Sequence, residues 1–241
     1  MAPKVLILKN ITHENPGLIA TVLESQKIPF DLVDLGRGGH IPQLRGYAAM
    51  IVLGGPASAN DQTPVMQAEL KAVRVALEKN LPYLGICLGM QALVKAAGGE
   101  VMTSGVREIG FVDSKSRPYE VTLTGEGRKD ELFQGLSDKF TVFQLHGETV
   151  KLTPSMTLLG EGRFCKNQIV RVKRHAYGIQ CHFELTESML LEWQKKDRDL
   201  GKIPKEMLRS QYAPVKEIYT QTGLHLIQKF LALSGILSRV S

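Results

Sequence analysis

The stretch Pro82-Tyr83-Leu84-Gly85-Ile86-Cys87-Leu88-Gly89-Met90-Gln91 restricts this chain more than any other. Residues 82–86 read as a short buried strand, and residues 88–97 have helical spacing closed by the stop signal Gly98-Gly99. Cys87 therefore stands on a sharp turn between a strand and a helix. Such a turn, a nucleophile elbow, lifts one side chain above the edge of a parallel sheet, beside the N–H groups of the helix start. Gly85 and Gly89 suit it because the tight turn and the close helix–strand packing leave no room for a Cβ. The helix start also favours negative charge, on a thiolate or on an oxyanion forming next to it. A lone cysteine at a strand end is more often simply core. A core cysteine, however, has no need of a glycine on each side.

The rest of the chain supplies a sheet for that turn. Residues 4–8, 29–33 and 48–53 are apolar strands, and residues 17–26 and roughly 64–79 have the spacing of amphipathic helices. Loops are expected at residues 9–16 and, rich in glycine, at 36–42. Near-continuous apolar strands alternating with helices predict a parallel sheet covered on both faces, which binds ligands at the carboxyl ends of its strands. Gly54-Gly55 and Cys87 both fall there. After Gly99 come short extended runs at 110–114, 119–123, 141–145, 157–160, 168–172 and 176–181, as expected of added antiparallel or mixed strands. Helices return at 186–200, where Thr186 or Ser188 can cap, and at 215–233.

No repeat, low-complexity segment or linker interrupts the 241 residues, a length that buries a full core. The prediction is one α/β domain over 1–241, with a mostly parallel central sheet, a core at about 4–185 and a C-terminal helical extension at 186–241.

Composition removes several function classes. No apolar run approaches the ~20 residues of a membrane span, and the N-terminus reads as a first strand rather than a signal peptide. Three scattered cysteines (Cys87, Cys165, Cys181) form no disulfide framework and no C-x-x-C zinc pair, which fits a reducing cytoplasm with no metal or cofactor. The net charge of +6 is mild and dispersed, the densest cluster being Lys166, Arg171, Lys173, Arg174 and His175. Neither nucleic acid nor a membrane is an expected partner.

A cysteine nucleophile needs a base, and the base needs a carboxylate to orient it. Of six histidines, His13, His40, His175 and His225 read as ordinary surface or satisfied residues. His182 ends the apolar run 177–181, and Glu184 lies two residues on, on the same side at strand spacing. Alone, such a pair is commonplace.

The set Gly54-Gly55-Pro56, Gly85-Ile86-Cys87-Leu88-Gly89-Met90-Gln91, His146-Gly147-Glu148 and Gln180-Cys181-His182-Phe183-Glu184 resembles the class I, triad-type glutamine amidotransferases. Order and intervals match from the first strand to Glu184. The segments 107–110 and 143–148 are similar to a stand-alone group related to the amidotransferase domain of GMP synthase, which includes γ-glutamyl peptide hydrolases. The resemblance implies a glutaminase half-reaction. Cys87 would form a γ-glutamyl thioester, His182 would shuttle protons and Glu184 would orient His182. The N–H groups of Gly55 and Leu88 would form the oxyanion hole. Gln91 and the backbone of Leu145, Gly147 and Glu148 would hold the α-amino and α-carboxylate groups.

The chain departs from the family pattern at Phe183, where the family often has proline, and it shows no nucleotide-binding motif. The ammonia acceptor is then either a separate synthase chain or water. Two alternatives stand beside glutamine hydrolysis: cleavage of γ-glutamyl peptides such as glutathione-like substrates, and a catalytically silent binding or regulatory subunit. The two substrates differ in the space their leaving amines need, expected around residues 36–42 and 107–110.

Overall fold

Alternation along the first strand sets the layers. Strand β1 (Lys4–Lys9) sends Val5 and Ile7 to one face and Leu6 and Leu8 to the other, and all four are fully buried. A strand apolar on both faces needs cover on both. Helix α1 (Leu18–Ser25) follows, then β2 (Phe30–Asp34), β3 (Tyr47–Val52), helix α2 (Pro64–Glu78), β4 (Tyr83–Ile86) and helix α3 (Leu88–Ala96). Leu18, Ile19, Val22 and Leu23 of α1 pack on the Val5 face. Met66, Leu70 and Val73 of α2, with Met90 and Leu93 of α3, cover the other. Burying each such side chain contributes on the order of 1.5–3 kcal/mol. Thr63 caps α2 by accepting from the Met66 N–H at 3.2 Å, with Pro64 at the first helical position.

The computed structural model describes residues 4–237; residues 1–3 and 238–241, the outer ends of the expected 1–241 domain, lie outside the described residues. Beyond α3 come β5 (Glu100–Gly110), β6 (Glu120–Leu123), a short α4 (Gly125–Lys129), β7 (Lys139–Thr141) and β8 (Gln144–Lys151). They are followed by β9 (Met156–Glu161), β10 (Ile169–Val172), β11 (Ala176–Ile179) and the helices α5 (Glu187–Lys196), α6 (Lys205–Tyr212) and α7 (Lys216–Leu233).

The main sheet runs β2-β1-β3-β4-β11-β10-β9-β6-β7. The strands from β2 to β11 are parallel, and those beyond are antiparallel. This is the expected α/β fold, a single domain with helices on both faces of its parallel core. Strands β5 and β8 pair separately as an antiparallel ribbon. Among the described residues no helix is long and apolar enough to cross a membrane.

Several expected elements differ in extent. Residues 111–114 are not a strand; the extended segment is β5, which ends at Gly110. The Asp113 carboxylate folds the chain into a turn there, accepting from the N–H groups of Lys115 at 2.8 Å and Arg117 at 3.0 Å. Strand β5 lacks an apolar run because most of its middle is exposed, and the β8 ladder holds it instead. The run 141–145 divides between β7 and β8, which belong to different sheets. The helix expected to reach Leu200 stops at Lys196, where the Asp197 carboxylate takes the N–H groups of Asp199 at 2.9 Å and Leu200 at 2.7 Å into a new turn.

Candidate active site

Strands β4 and β11 are parallel neighbours, with Gly85 opposite Gly178 and Ile86 opposite Ile179. The residues after each strand must therefore emerge at the same edge, and the Cys87 N–H donates to Ile179 O at 2.8 Å. Cys87 itself has φ 51°, ψ −105°, a strained backbone for any residue but glycine and the signature of an elbow. A Cβ on Gly89 would stand 2.2 Å from Val52 O, and one on Gly85 2.3 Å from Gly89 O, so both positions exclude a side chain.

Across the edge, His182 shares a cavity with the cysteine: a Cβ on Gly54 would lie 3.0 Å from His182 Cε1 and 3.5 Å from Cys87 Cβ. His182 Nδ1 lies 2.7 Å from Glu184 Oε1, and Glu184 Oε2 accepts from the Phe183 N–H at 2.9 Å. All three side chains are buried. Burial alone would lower the His182 imidazole, but Glu184 and Cys87 outweigh it and lift His182 well above its ordinary value. The Cys87 thiol also approaches Leu145 O at 3.8 Å and receives the Gln180 side-chain amide at 3.6 Å.

These groups open onto a cavity of about 570 Å³ that also takes in Gly55, Gln91, Leu145, Gly147 and Glu148. Of the residues singled out in the sequence, Glu184 stands behind His182, and Leu88 turns its side chain into the core beneath α3. Neither the Gly55 nor the Leu88 amide donates to a backbone carbonyl among the described residues. Gln91 is buried and donates to Gln180 at 3.2 Å. Glu148 accepts from the Ser58 hydroxyl at 2.9 Å.

The strand bearing Leu145, Gly147 and Glu148 is pinned from behind. His146 Nδ1 meets Glu148 O at 3.0 Å, and His146 Nε2 lies 3.2 Å from Glu108 Oε2. The donor atoms of Glu108, His146 and Cys165 lie within 4.8 Å of one another, a spacing a metal ion could bridge. Cys165 donates to Asn167 O at 3.7 Å and contacts the Thr149 hydroxyl at 3.2 Å, and burial pushes its thiol up to about 11.

Sequence reasoning misplaced one boundary of the cavity. Arg107 lines it, but residues 36–42 do not. Strand β2 is an edge strand, so the loop after it lies away from β4, whereas the loop after the inner strand β1 reaches the site. Four contributors had been given no role in the site. Glu14 in that inner loop and Gln180 both border the cysteine's surroundings. Trp193 of α5 stacks edge-on against His182 with ring centres 5.0 Å apart. The Tyr219 hydroxyl of α7 donates to His182 O at 3.1 Å and accepts from the Leu185 N–H at 3.3 Å. Glu14 and Gln180 carried a usable signal, their positions beyond the carboxyl ends of the inner strands β1 and β11.

The family model for glutamine amidotransferase class-I matches residues 18–190. The chain belongs to that family. Among curated relatives, it is 32% identical over 150 residues to the glutamine amidotransferase-like protein YfeJ of Salmonella typhimurium, covering 60% of each chain. It is 33% identical over 150 residues to a glutamine-hydrolysing GMP synthase subunit of Archaeoglobus fulgidus, covering 61% of this chain and 72% of that one. The match spans only 27% of the GMP synthase of Paraburkholderia phytofirmans. Among solved structures, a glutamine amidotransferase from Thermotoga maritima superposes with a TM-score of 0.84 at 24% identity, covering 96% of this chain and 99% of that one. Another from Methylobacillus flagellatus gives 0.83 at 25% identity, covering 97% and 96%.

Proposed function

We propose that the protein hydrolyses the side-chain amide of glutamine through a thioester on Cys87. The observation that carries this reading is the buried His182–Glu184 pair at 2.7 Å facing Cys87 in one cavity. Cys87 passes its proton to His182, and the sulfur attacks the amide carbon. The oxyanion is held by the Gly55 and Leu88 N–H groups, a kind of donor whose loss typically costs ~10²–10³ in turnover. His182 returns the proton to the nitrogen, ammonia leaves and the γ-glutamyl thioester remains. Water then gives a proton to His182 and attacks the thioester carbon; collapse expels the sulfur, which regains the proton, and glutamate departs. Glu184 keeps the imidazole oriented through both halves. Gln91 and the backbone of Leu145, Gly147 and Glu148 hold the substrate's α-amino and α-carboxylate groups.

The ammonia goes to water or to a separate synthase chain; the likeness to a protein named as one subunit of a synthase supports the latter. The extension from residue 186 belongs to the same domain as the core at 4–185 and serves as a buttress for His182 through Trp193 and Tyr219. A free catalytic thiol also favours a reducing compartment such as the cytoplasm. Glutamate release from glutamine by the isolated chain, with Cys87→Ala as control, tests the mechanism. The expected outcome is a loss of at least ~10⁴-fold in the variant with an unchanged melting temperature. Equal rates would remove Cys87 as nucleophile.

A second substrate, a γ-glutamyl peptide, is favoured by one observation. The cavity extends past the cysteine to Thr103, Arg107, Lys196 and Arg198, leaving room for a larger leaving group. Asp197 lies among these cations and Arg107 is paired with Asp199 at 2.6 Å, so space rather than charge favours it. Relative kcat/KM on glutamine and on a γ-glutamyl dipeptide separates the two.

A further inference from the structure

Glu14 is a buried carboxyl that the mechanism above leaves unused. It borders the cavity at 8% exposure, and its Oε2 is buried with no hydrogen-bond partner. A carboxyl in such a position costs stability unless it interacts with something the site creates. Its surroundings are built rather than incidental. Lys9 Nζ pins the loop by donating to Thr12 O at 2.6 Å and Asn15 Oδ1 at 2.9 Å, and the Leu18 N–H just beyond donates to Glu184 O at 2.9 Å. The same segment thus fixes Glu14 and holds the backbone of the residue that orients His182.

The crowding at Gly54 locates the carboxyl. A Cβ placed there would lie 2.8 Å from Glu14 Oε2, 3.0 Å from His182 Cε1 and 3.5 Å from Cys87 Cβ. Glu14 and the Cε1 edge of the imidazole therefore converge on one small space, which a side chain at position 54 would fill.

We propose that Glu14 is a positioning residue for proton transfer at His182, its carboxylate set beside the Cε1 edge of the ring and favouring the imidazolium form. The inference rests on the Cys87–His182 reading of the site. A protonated imidazole spreads its charge over Nδ1, Cε1 and Nε2. Glu184 takes the Nδ1 side, Cys87 faces the ring from the β4–α3 turn, and Glu14 Oε2 and the ring's Cε1 both border the space beside Gly54. Trp193 of α5 and Tyr219 of α7 complete the surroundings of His182 without a formal charge. Around Glu14 the charged groups are His182, Glu184 and, after α5, Asp197. Burial lifts the Glu14 carboxyl to about 7; His182 pulls it down while Glu184 and Asp197 push it up. Glu14 therefore changes charge near neutrality, and its ionised form is favoured when His182 is protonated.

The test reads Cys87 rather than turnover, so it does not depend on which amide is hydrolysed. Carbamidomethylation of Cys87 by iodoacetamide is followed across pH by peptide mass spectrometry in the full chain, in Glu14→Gln and in Glu14→Asp. The upper inflection reports loss of the His182 proton. It should fall by about one pH unit in Glu14→Gln and recover most of that shift in Glu14→Asp. Superimposable wild-type and Glu14→Gln profiles, or a uniform loss of reactivity with no shift, would overturn the proposal. The wild-type chain offers a second measurement should the variants fold poorly. The ¹³Cε1 resonance of His182 should show an added inflection near pH 7 as Glu14 ionises, and a single inflection counts against the role. A shifted profile in a protein that hydrolyses no glutamine would leave Glu14 assigned and remove the glutaminase reading.

Discussion

The two halves of the site are built by different means. Cys87 is held by its own neighbourhood: a strained φ of 51°, a helix starting at the next residue, and two glycines that let β4, α3 and Val52 close around it. His182 is held by elements distant in sequence. Its carbonyl meets Tyr219 from α7, its ring meets Trp193 from α5, and its backbone pairs with Phe143 just ahead of β8. A nucleophile raised by local geometry needs little else to stay in place. A base that must rock between two proton positions needs its orientation enforced from outside.

This contrast can be broken or sharpened at three positions. The largest effect is expected on the histidine side. Glu184→Gln keeps the shape but removes the charge that fixes the imidazole, and kcat for glutamine should fall ~10²–10⁴-fold with a melting temperature close to wild type. A variant that keeps full activity would mean that the outer buttress alone orients His182.

A smaller effect is expected on the elbow side, at Glu69 of α2. Burial lifts its carboxyl from 4.5 to about 8, the Asn10 side chain only partly offsetting this. Between those values the folded chain keeps a proton that the unfolded chain has released, so rising pH through that window favours unfolding. Glu69→Gln should therefore melt several degrees higher than wild type near pH 8, with the difference shrinking towards pH 4.5. Thermal melts across that range check it, and a constant offset at every pH would contradict the assignment.

The smallest effect belongs to Tyr219→Phe. Loss of the hydroxyl that bridges His182 O and Leu185 N should cost about 1 kcal/mol of stability and lower kcat modestly. Denaturant unfolding together with steady-state rates would reveal it. A loss of kcat as large as that of Glu184→Gln would make the hydroxyl, not the carboxylate, the principal orienting group.

Much of this was legible without coordinates. The elbow, the apolar strands before it and the helix after it follow from short-range pattern, because strand and helix periodicities are local. The His182–Glu184 pair was readable as two residues at strand spacing, though its meaning came from the resemblance. Less visible were β5, whose exposed middle carries no apolar run, and the early stop of α5, decided by the Asp197 side chain. The loop at residues 36–42 was wrongly placed beside the site because chain order does not reveal which strand becomes an edge.

What the amino-acid sequence determined was the local machinery: a parallel α/β sheet, a cysteine on a strained turn, and a histidine with its carboxylate. What only the tertiary structure decided was who stands next to whom. Strand β11 lies beside β4, which brings His182 to Cys87; the loop after β1 carries Glu14 to the same edge; α5 and α7 close over the histidine. Periodicity is written in neighbouring residues, whereas sheet order and helix docking are set by the burial of whole faces at once, and no short window of sequence contains that sum.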